Sequence, residues 1–225
     1  MSGNSPLIAR ALPAKGWRSG VLRGSNGGNE PSPSADTLVV LKVGGSLLSR
    51  PDWPALLASL RAARGHEACC LVVGGGAVVD GLRAFDRALP QPPQLMHDLA
   101  IDAMRLTARL VAAALNVPLA AAPPDDGSVA VLDVPAWLRI GSRATTLPVG
   151  WQVTSDAIAA RVAVEHGGSL LLAKSAPPPP CPDDVDLLSS LARAGWVDGH
   201  FPVAARPLAT IEWAAPTGLP VGASF

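Results

Sequence analysis

The chain has 225 residues, which fits one large domain with tails better than two small domains. With 48% apolar and 16% charged residues it can bury a sizeable core, so wholesale disorder is excluded. The 18 basic and 18 acidic side chains cancel, and Tyr is absent, which argues against a nucleic-acid binder, a membrane-surface binder and a base-stacking platform. Cys69 and Cys70 are adjacent and Cys181 stands far off. There is no CxxC pair, and an odd cysteine count in a core-rich chain fits a reducing, cytoplasmic setting. The most apolar stretch, 110–122, holds Asn116 and Pro118 and is too short to span a bilayer.

Residues 1–36 carry Arg10, Lys15, Arg18 and Arg23 against Glu30 and Asp36, with a Gly/Ser/Asn/Pro-rich end at 24–36. They read as a disordered leader and linker, followed by a folded domain at 37–213 and a tail at 214–225. Thr37–Leu41 is a buried strand, closed by Gly44-Gly45. Asp52-Trp-Pro54 starts a helix that presents Leu56, Leu57 and Leu60. Cys69–Val73 is a second buried strand, stopped by Gly74-Gly75-Gly76. Helices follow over 77–88 and 95–115, the latter with Leu95, Leu99, Met104, Val111 and Leu115 at helical spacings. Segments 117–121 and 129–132 read as strands. Thr154-Ser155-Asp156 is a helix-cap cluster opening a helix to Glu165. Ser169–Ala173 is a further buried strand, and Pro177–Pro180 must be extended. A helix over 183–194 with an acidic first turn and a strand over 207–213 complete the chain. Strands alternating with helices predict an α/β fold with a mostly parallel sheet sandwiched by helices.

Two strands end in glycine turns, Lys42-Val-Gly-Gly-Ser46 and Gly74-Gly75-Gly76. Ligands of open α/β sheets bind at the carboxyl ends of strands. Turns without side chains let backbone N–H groups approach phosphate oxygens there. The chain has only three lysines, Lys15, Lys42 and Lys174, and one of them precedes the first turn. GxxxxGK[ST] is absent, so there is no P-loop, and Val79 occupies the third glycine position of a GxGxxG dinucleotide fingerprint.

The segments LVVLKVGGSLL (38–48), CLVVGGGAVVDGLR (70–83), HDLAIDAM (97–104), WQVTSDAIAA (151–160) and LLLAKS (170–175) resemble the amino acid kinase superfamily, which includes aspartate, glutamate and uridylate kinases. Within it the chain is most similar to the kinases of (5-(aminomethyl)furan-3-yl)methyl phosphate in methanofuran biosynthesis. The resemblance covers about residues 37–213. It implies ATP-dependent phosphoryl transfer to a small phosphorylated acceptor, with Mg²⁺ carried by ATP, and a small-molecule partner. It also leaves room for a homo-oligomer. Under this resemblance Lys42 contacts the transferred phosphoryl group, Asp156 orients the lysines, and Lys174 offsets charge on the leaving phosphate. Gly44, Gly45 and Ser46 hold the ATP phosphates, and Gly74, Gly75 and Gly76 approach the acceptor.

The sequence departs from that pattern after Lys174, where PPPPCPDD replaces an Asp-Gly turn and no further lysine follows. The segment Gly195–Phe201 still resembles the family's closing VD-x-x-F stretch. Two other readings stay open: a non-catalytic nucleotide- or oxyanion-binding protein on the same fold, and a Rossmann-type oxidoreductase. His97 and Asp98 read as helix residues near the acceptor side, Arg139 and Arg143 as surface residues, and His66, His166 and His200 have no metal-chelating spacing.

Overall fold

The structure is a computed structural model, and it describes residues 15–23, 38–65, 67–140, 147–181 and 186–218. Among the described residues, seven strands form one sheet in the order β1-β7-β6-β2-β3-β5-β4. They are β1 (Trp17–Arg23), β2 (Val39–Val43), β3 (Cys69–Val73), β4 (Leu119–Ala120), β5 (Val129–Leu132), β6 (Ser169–Ala173) and β7 (Thr210–Pro216). β2 to β7 run parallel to their neighbours, and β1 is antiparallel to β7. The chain steps from β2 outward through β3 to β5, then returns to the other side of β2 with β6. That reversal leaves a crevice beyond the carboxyl ends of β2, β3 and β6, the usual ligand position of such sheets.

The central strands are buried on both faces, so their side chains split by parity into two cores. Val39, Leu41, Val43, Cys69, Leu71, Val73, Leu171 and Ala173 pack with Leu57 and Leu60 of α1 (Trp53–Ala62) and with Ala108, Val111 and Ala112 of α3 (Pro93–Leu115). Val40, Cys70, Val72, Leu170 and Leu172 face the other layer. That layer comprises α4 (Val134–Leu138), α5 (Ser155–Glu165), α6 (Leu187–Arg193) and α7 (Phe201–Ala204). Helix α2 (Gly76–Ala88) packs on α3. Burial holds both Cys69 and Cys70 as thiols, the first pushed up to about 11 and the second higher still.

The described structure departs from the sequence reading in several places. Residues 17–23, expected in the disordered leader, are a strand in full register with β7, from Trp17 opposite Pro216 to Arg23 opposite Thr210. Gly20 makes room there, because a Cβ at this position would lie 2.7 Å from Nε1 of Trp213. β7 continues to Pro216, past the expected end of the domain at 213. Helices α4 and α7 were not anticipated; both are short, and each has Pro in its first turn. Leu95 and Leu99 lie on the exposed side of α3, while Met96, Ala103 and Thr107 take the buried positions. The helix expected from 183 is described from Leu187, capped by Asp186, and residues 182–185 lie outside the described residues. Most of the leader (1–14 and 24–36), His66 and Arg143 also lie outside them.

Trp17 fastens β1 to the body of the fold. Its ring is buried, and its indole N–H donates to the Leu56 carbonyl at 3.0 Å. Trp17→Ala should therefore cost about 3 kcal/mol or more, the usual scale for removing a buried aromatic. Urea unfolding of the full chain measures it, and a loss under 1 kcal/mol would show that β1 adds little.

Candidate active site

Parity places the charged groups. Lys42 follows Val40 on the face of β2 that looks toward α5, and Lys174 follows Leu172 on the same face just past β6. The two strands are neighbours, with Lys42 opposite Leu172, so both lysines extend over the N-terminus of α5. There Asp156, in the first turn of α5, receives them. Its Oδ1 lies 2.8 Å from Lys42 Nζ and 2.8 Å from Lys174 Nζ. Lys174 also donates to Oδ2 at 2.9 Å and to the Trp196 carbonyl at 2.7 Å, with its ammonium 5.2 Å from the Trp196 ring centroid. Lys42 and Asp156 are only 4% and 5% exposed, which makes these groups part of the interior.

Burial of three charges is costly unless they are paired, and here they are. Burial opposes ionisation of Asp156, but the Lys42 and Lys174 ammoniums outweigh it and hold the carboxyl below its usual range. Lys174 is pushed down to about 8, first by burial and then by Lys42, with Asp156 acting in the opposite direction. One negative and two positive charges leave the cluster with a net positive charge that an anion can complete.

The glycine turns stand beside this cluster and pack on each other. Gly44 N–H donates to the Ala173 carbonyl at 2.8 Å, and Gly74 N–H to the Val43 carbonyl at 2.9 Å, so the three strand ends stay in step. A Cβ on Gly45 would run into the backbone of Gly76, and Gly76 has φ +54°, where a side chain is strained. A Cβ on Gly75 would meet Val79 of the same helix, so the glycine at 75 is required by packing. After Gly44 the chain forms a short 3₁₀ turn, Gly45–Ser49, and Ser46 Oγ donates to Ser175 Oγ at 3.0 Å across the ends of β2 and β6.

Gly45, Ser46, Gly74, Gly75 and Gly76 line one cleft of about 230 Å³. Its far wall is Val79, Ile101, Met104, Trp151 and Val153, with Asp80, Arg83 and His97 as polar members. The expected phosphate-side residues Gly45 and Ser46 and the expected acceptor-side glycines thus meet in the same place. Gly44 instead abuts the backbone at Ala173–Lys174. Arg83 lies over the Trp151 ring, 5.2 Å from its centroid, and donates to Asp80 at 3.0 Å. Trp151 is held by its N–H bond to Asp86 at 2.7 Å. His97 Nδ1 accepts the Gly150 N–H at 3.4 Å and borders both this cleft and a neighbouring one that includes Asp98 and Arg139. Sequence reasoning missed Arg83, Trp151 as its platform, and Asp80. Their signal was present, since 80 and 83 are one turn apart on α2.

The cap of α5 was also misread. Thr154 makes no side-chain cap bond. Asp198 caps the helix from 44 residues away: its Oδ2 accepts from Thr154 N, Thr154 Oγ1 and Ala157 N at 3.0, 2.8 and 2.9 Å. Burial and the nearby Asp156 charge raise the Asp198 carboxyl above its usual value.

Residues 37–133 match the family model of the amino acid kinase family. No curated protein sequence matches the chain. Among solved structures the chain is similar to uridylate kinase from Archaeoglobus fulgidus, at TM-score 0.55 and 19% identity, covering 81% of this chain and 91% of that one. It is also similar to aspartate kinase from Synechocystis, at TM-score 0.54 and 16% identity, covering 82% of this chain and 40% of that one. These likenesses establish the α/β fold.

Two outcomes test the cluster itself. Asp156→Asn leaves two buried ammoniums without a counter-charge and should cost about 3–5 kcal/mol in urea unfolding at pH 7. With burial and Lys42 pushing Lys174 down to about 8, anion binding at the cluster should be strong on the acid side and weaken as pH rises through 8. Titrating sulfate, a dianion at both values, against thermal stability at pH 6.5 and pH 9 reads this directly; equal affinity at both would show that Lys174 takes no part in anion binding.

Proposed function

We propose that this chain, which carries amino acid kinase family sequence over residues 37–133, transfers a phosphoryl group from ATP to a small phosphorylated acceptor. The observation that carries the reading is the Lys42–Asp156–Lys174 cluster, buried at the strand ends beside two interlocked glycine turns. Phosphoryl transfer needs positioning and charge neutralisation more than covalent help from the protein. The residues fit that need. The acceptor lies in the glycine-lined cleft against Val79, Ile101, Met104 and Trp151, with Arg83 and His97 as donors. An acceptor phosphate oxygen attacks the terminal phosphorus of ATP, the bond to the ADP oxygen breaks, and ADP leaves. A phosphate monoester dianion has no proton to lose in this step, so no general base is required. Lys42 neutralises the group in transfer and Lys174 the leaving oxygens. Asp156 has both oxygens committed to ammoniums and orients them; it is not the base.

Mg²⁺ fits here as an ion carried by the triphosphate, with phosphate and water oxygens as ligands. Among the described residues no group of His, Cys, Asp and Glu could hold a metal. When bound it supplies further neutralisation of phosphate charge. The acceptor most in keeping with the W-x-V-T-S-D segment at 151–156 is (5-(aminomethyl)furan-3-yl)methyl phosphate, and a cleft of about 230 Å³ with one apolar wall suits so small a ring.

The adenosine side carries the departure. Pro177–Pro180 have no N–H groups to offer a base edge. Among the residues flanking this loop, the Trp196 indole N–H is used by the Ala176 carbonyl. Triphosphate contacts then dominate affinity, and GTP and ATP should support turnover within about tenfold of each other, a gap of roughly 1.4 kcal/mol. Lys42→Ala should lower kcat by about two to four powers of ten, the scale of one lost charged contact in the transition state. Both are measured by coupled release of the nucleoside diphosphate, ADP or GDP, with the aminomethylfuran phosphate as acceptor. Binding of ATP with Mg²⁺ but no turnover of any phosphorylated acceptor would favour the second reading, a nucleotide-binding protein on a kinase fold.

A further inference from the structure

Asp198 lies in the closing segment Gly195–Phe201, and its carboxylate is satisfied by five donors. Thr154 N–H, Thr154 O–H and Ala157 N–H share Oδ2, while His200 N–H at 3.1 Å and Phe201 N–H at 2.8 Å share Oδ1. Asp156 therefore sits between two backbone positions that are both fastened to a single oxygen. The segment reaches the charged groups directly as well. The backbone N–H of Asp198 donates to Asp156 Oδ2 at 3.3 Å, and the Trp196 carbonyl accepts from Lys174 at 2.7 Å.

An ordinary helix cap would be made by the local hydroxyl. Thr154 is available at that position, yet its hydroxyl donates to Asp198. Setting a second carboxylate beside Asp156 is electrostatically unfavourable. The cost is tolerable because two ammoniums offset the charge of Asp156. What the arrangement gains is a rigid link from the closing segment to both partners of Lys174.

We propose that Asp198 is a positioning residue of this site: it fixes the first turn of α5 so that Asp156 is aimed between Lys42 and Lys174. The kinetic consequence rests on the phosphoryl-transfer reading; the structural consequence does not.

The chain's three lysines make the test direct, because a lysine-selective NMR titration of the side-chain Nζ groups resolves Lys174. In the unaltered protein, burial and Lys42 should place its midpoint at about 8. In Asp198→Ala the misaimed Asp156 gives up its hold on Lys174, and the midpoint should fall to about 7 or below, the effect of losing a close opposite charge. Asp198→Asn, which keeps one acceptor oxygen, should fall between the two. Turnover should drop by about 10- to 100-fold in kcat, the scale of a misplaced catalytic group, with the KM for ATP little changed. Asp186→Ala is the control. It removes the cap of α6, whose carboxylate accepts from Leu188 N and Ser189 Oγ, and should lower stability while leaving the Lys174 midpoint and kcat alone. If the Asp198 variants do not fold, Thr154→Val removes one of the five donors and should move the midpoint in the same direction. An unmoved Lys174 midpoint in a folded Asp198 variant, or in Thr154→Val where those variants do not fold, overturns the proposal. If the unaltered protein phosphorylates no acceptor, the phosphoryl-transfer reading fails, and the lysine titration still decides the role of Asp198.

Discussion

Two ammonium groups stand 2.8 Å from one oxygen of Asp156, in a region where the lysine and the acid are almost fully withdrawn from water. Neither charge could be buried alone: an unpaired ion inside a protein loses several kcal/mol of hydration. The pairing also dictates the backbone around it. β2 and β6 must be adjacent and parallel to bring the lysines side by side, and α5 must start directly beneath them. The return of the chain to β6 after the excursion through β5 satisfies both requirements. A cluster with two cations and one anion remains incomplete in charge, and the proposed function draws on that surplus.

Much of this was legible in the sequence, through the period of two. In LVVLKV the residues Val40 and Lys42 share a face, and in SLLLAK the residues Leu170, Leu172 and Lys174 do. Once both runs are read as neighbouring parallel strands, the two lysines must emerge on the same side. Asp156 was legible as a first-turn acid on the helix between them in chain order. What sequence could not give was the burial. A lysine at a strand end is ordinarily solvated, and only the packing of α5 against the sheet puts Lys42 in the interior.

Two of the misses, β1 and the α5 cap, share a cause, which is distance along the chain. β1 mixes Trp17, Val21 and Leu22 with polar and small residues and sits in a stretch read as a disordered leader; it is a strand because β7, nearly 200 residues later, supplies its hydrogen-bond partner. Asp198 looks like a turn residue until Thr154 and Ala157 are seen against it, 44 and 41 residues away in sequence. Local chemistry had nominated Thr154 as the cap, correctly as to place and wrongly as to donor and acceptor. Helices α4 and α7 are too short to show a period of 3.6.

The glycine motifs invite a stronger conclusion than they carry. Gly-rich turns at strand ends are read as cradles because backbone amides approach phosphate where no side chain intervenes. Here Gly45 and Gly76 are constrained by each other and Gly75 by Val79, so protein packing by itself accounts for the absence of side chains. The turns would look the same in a relative that bound no phosphate. What distinguishes this site is that the interlocked turns hold the open cleft on one side and the charged cluster on the other. Gly45 touches Gly74 and Gly76, Gly74 lies against Ser155, and Ser155 is the residue next to Asp156 on α5. The glycines therefore set the distance between the cleft and the lysines. A side chain at Gly45 would widen that gap before it ever met a ligand. Under the proposed phosphoryl transfer, the motif contributes a spacing, and the charge neutralisation falls to the lysines that the spacing brings within reach.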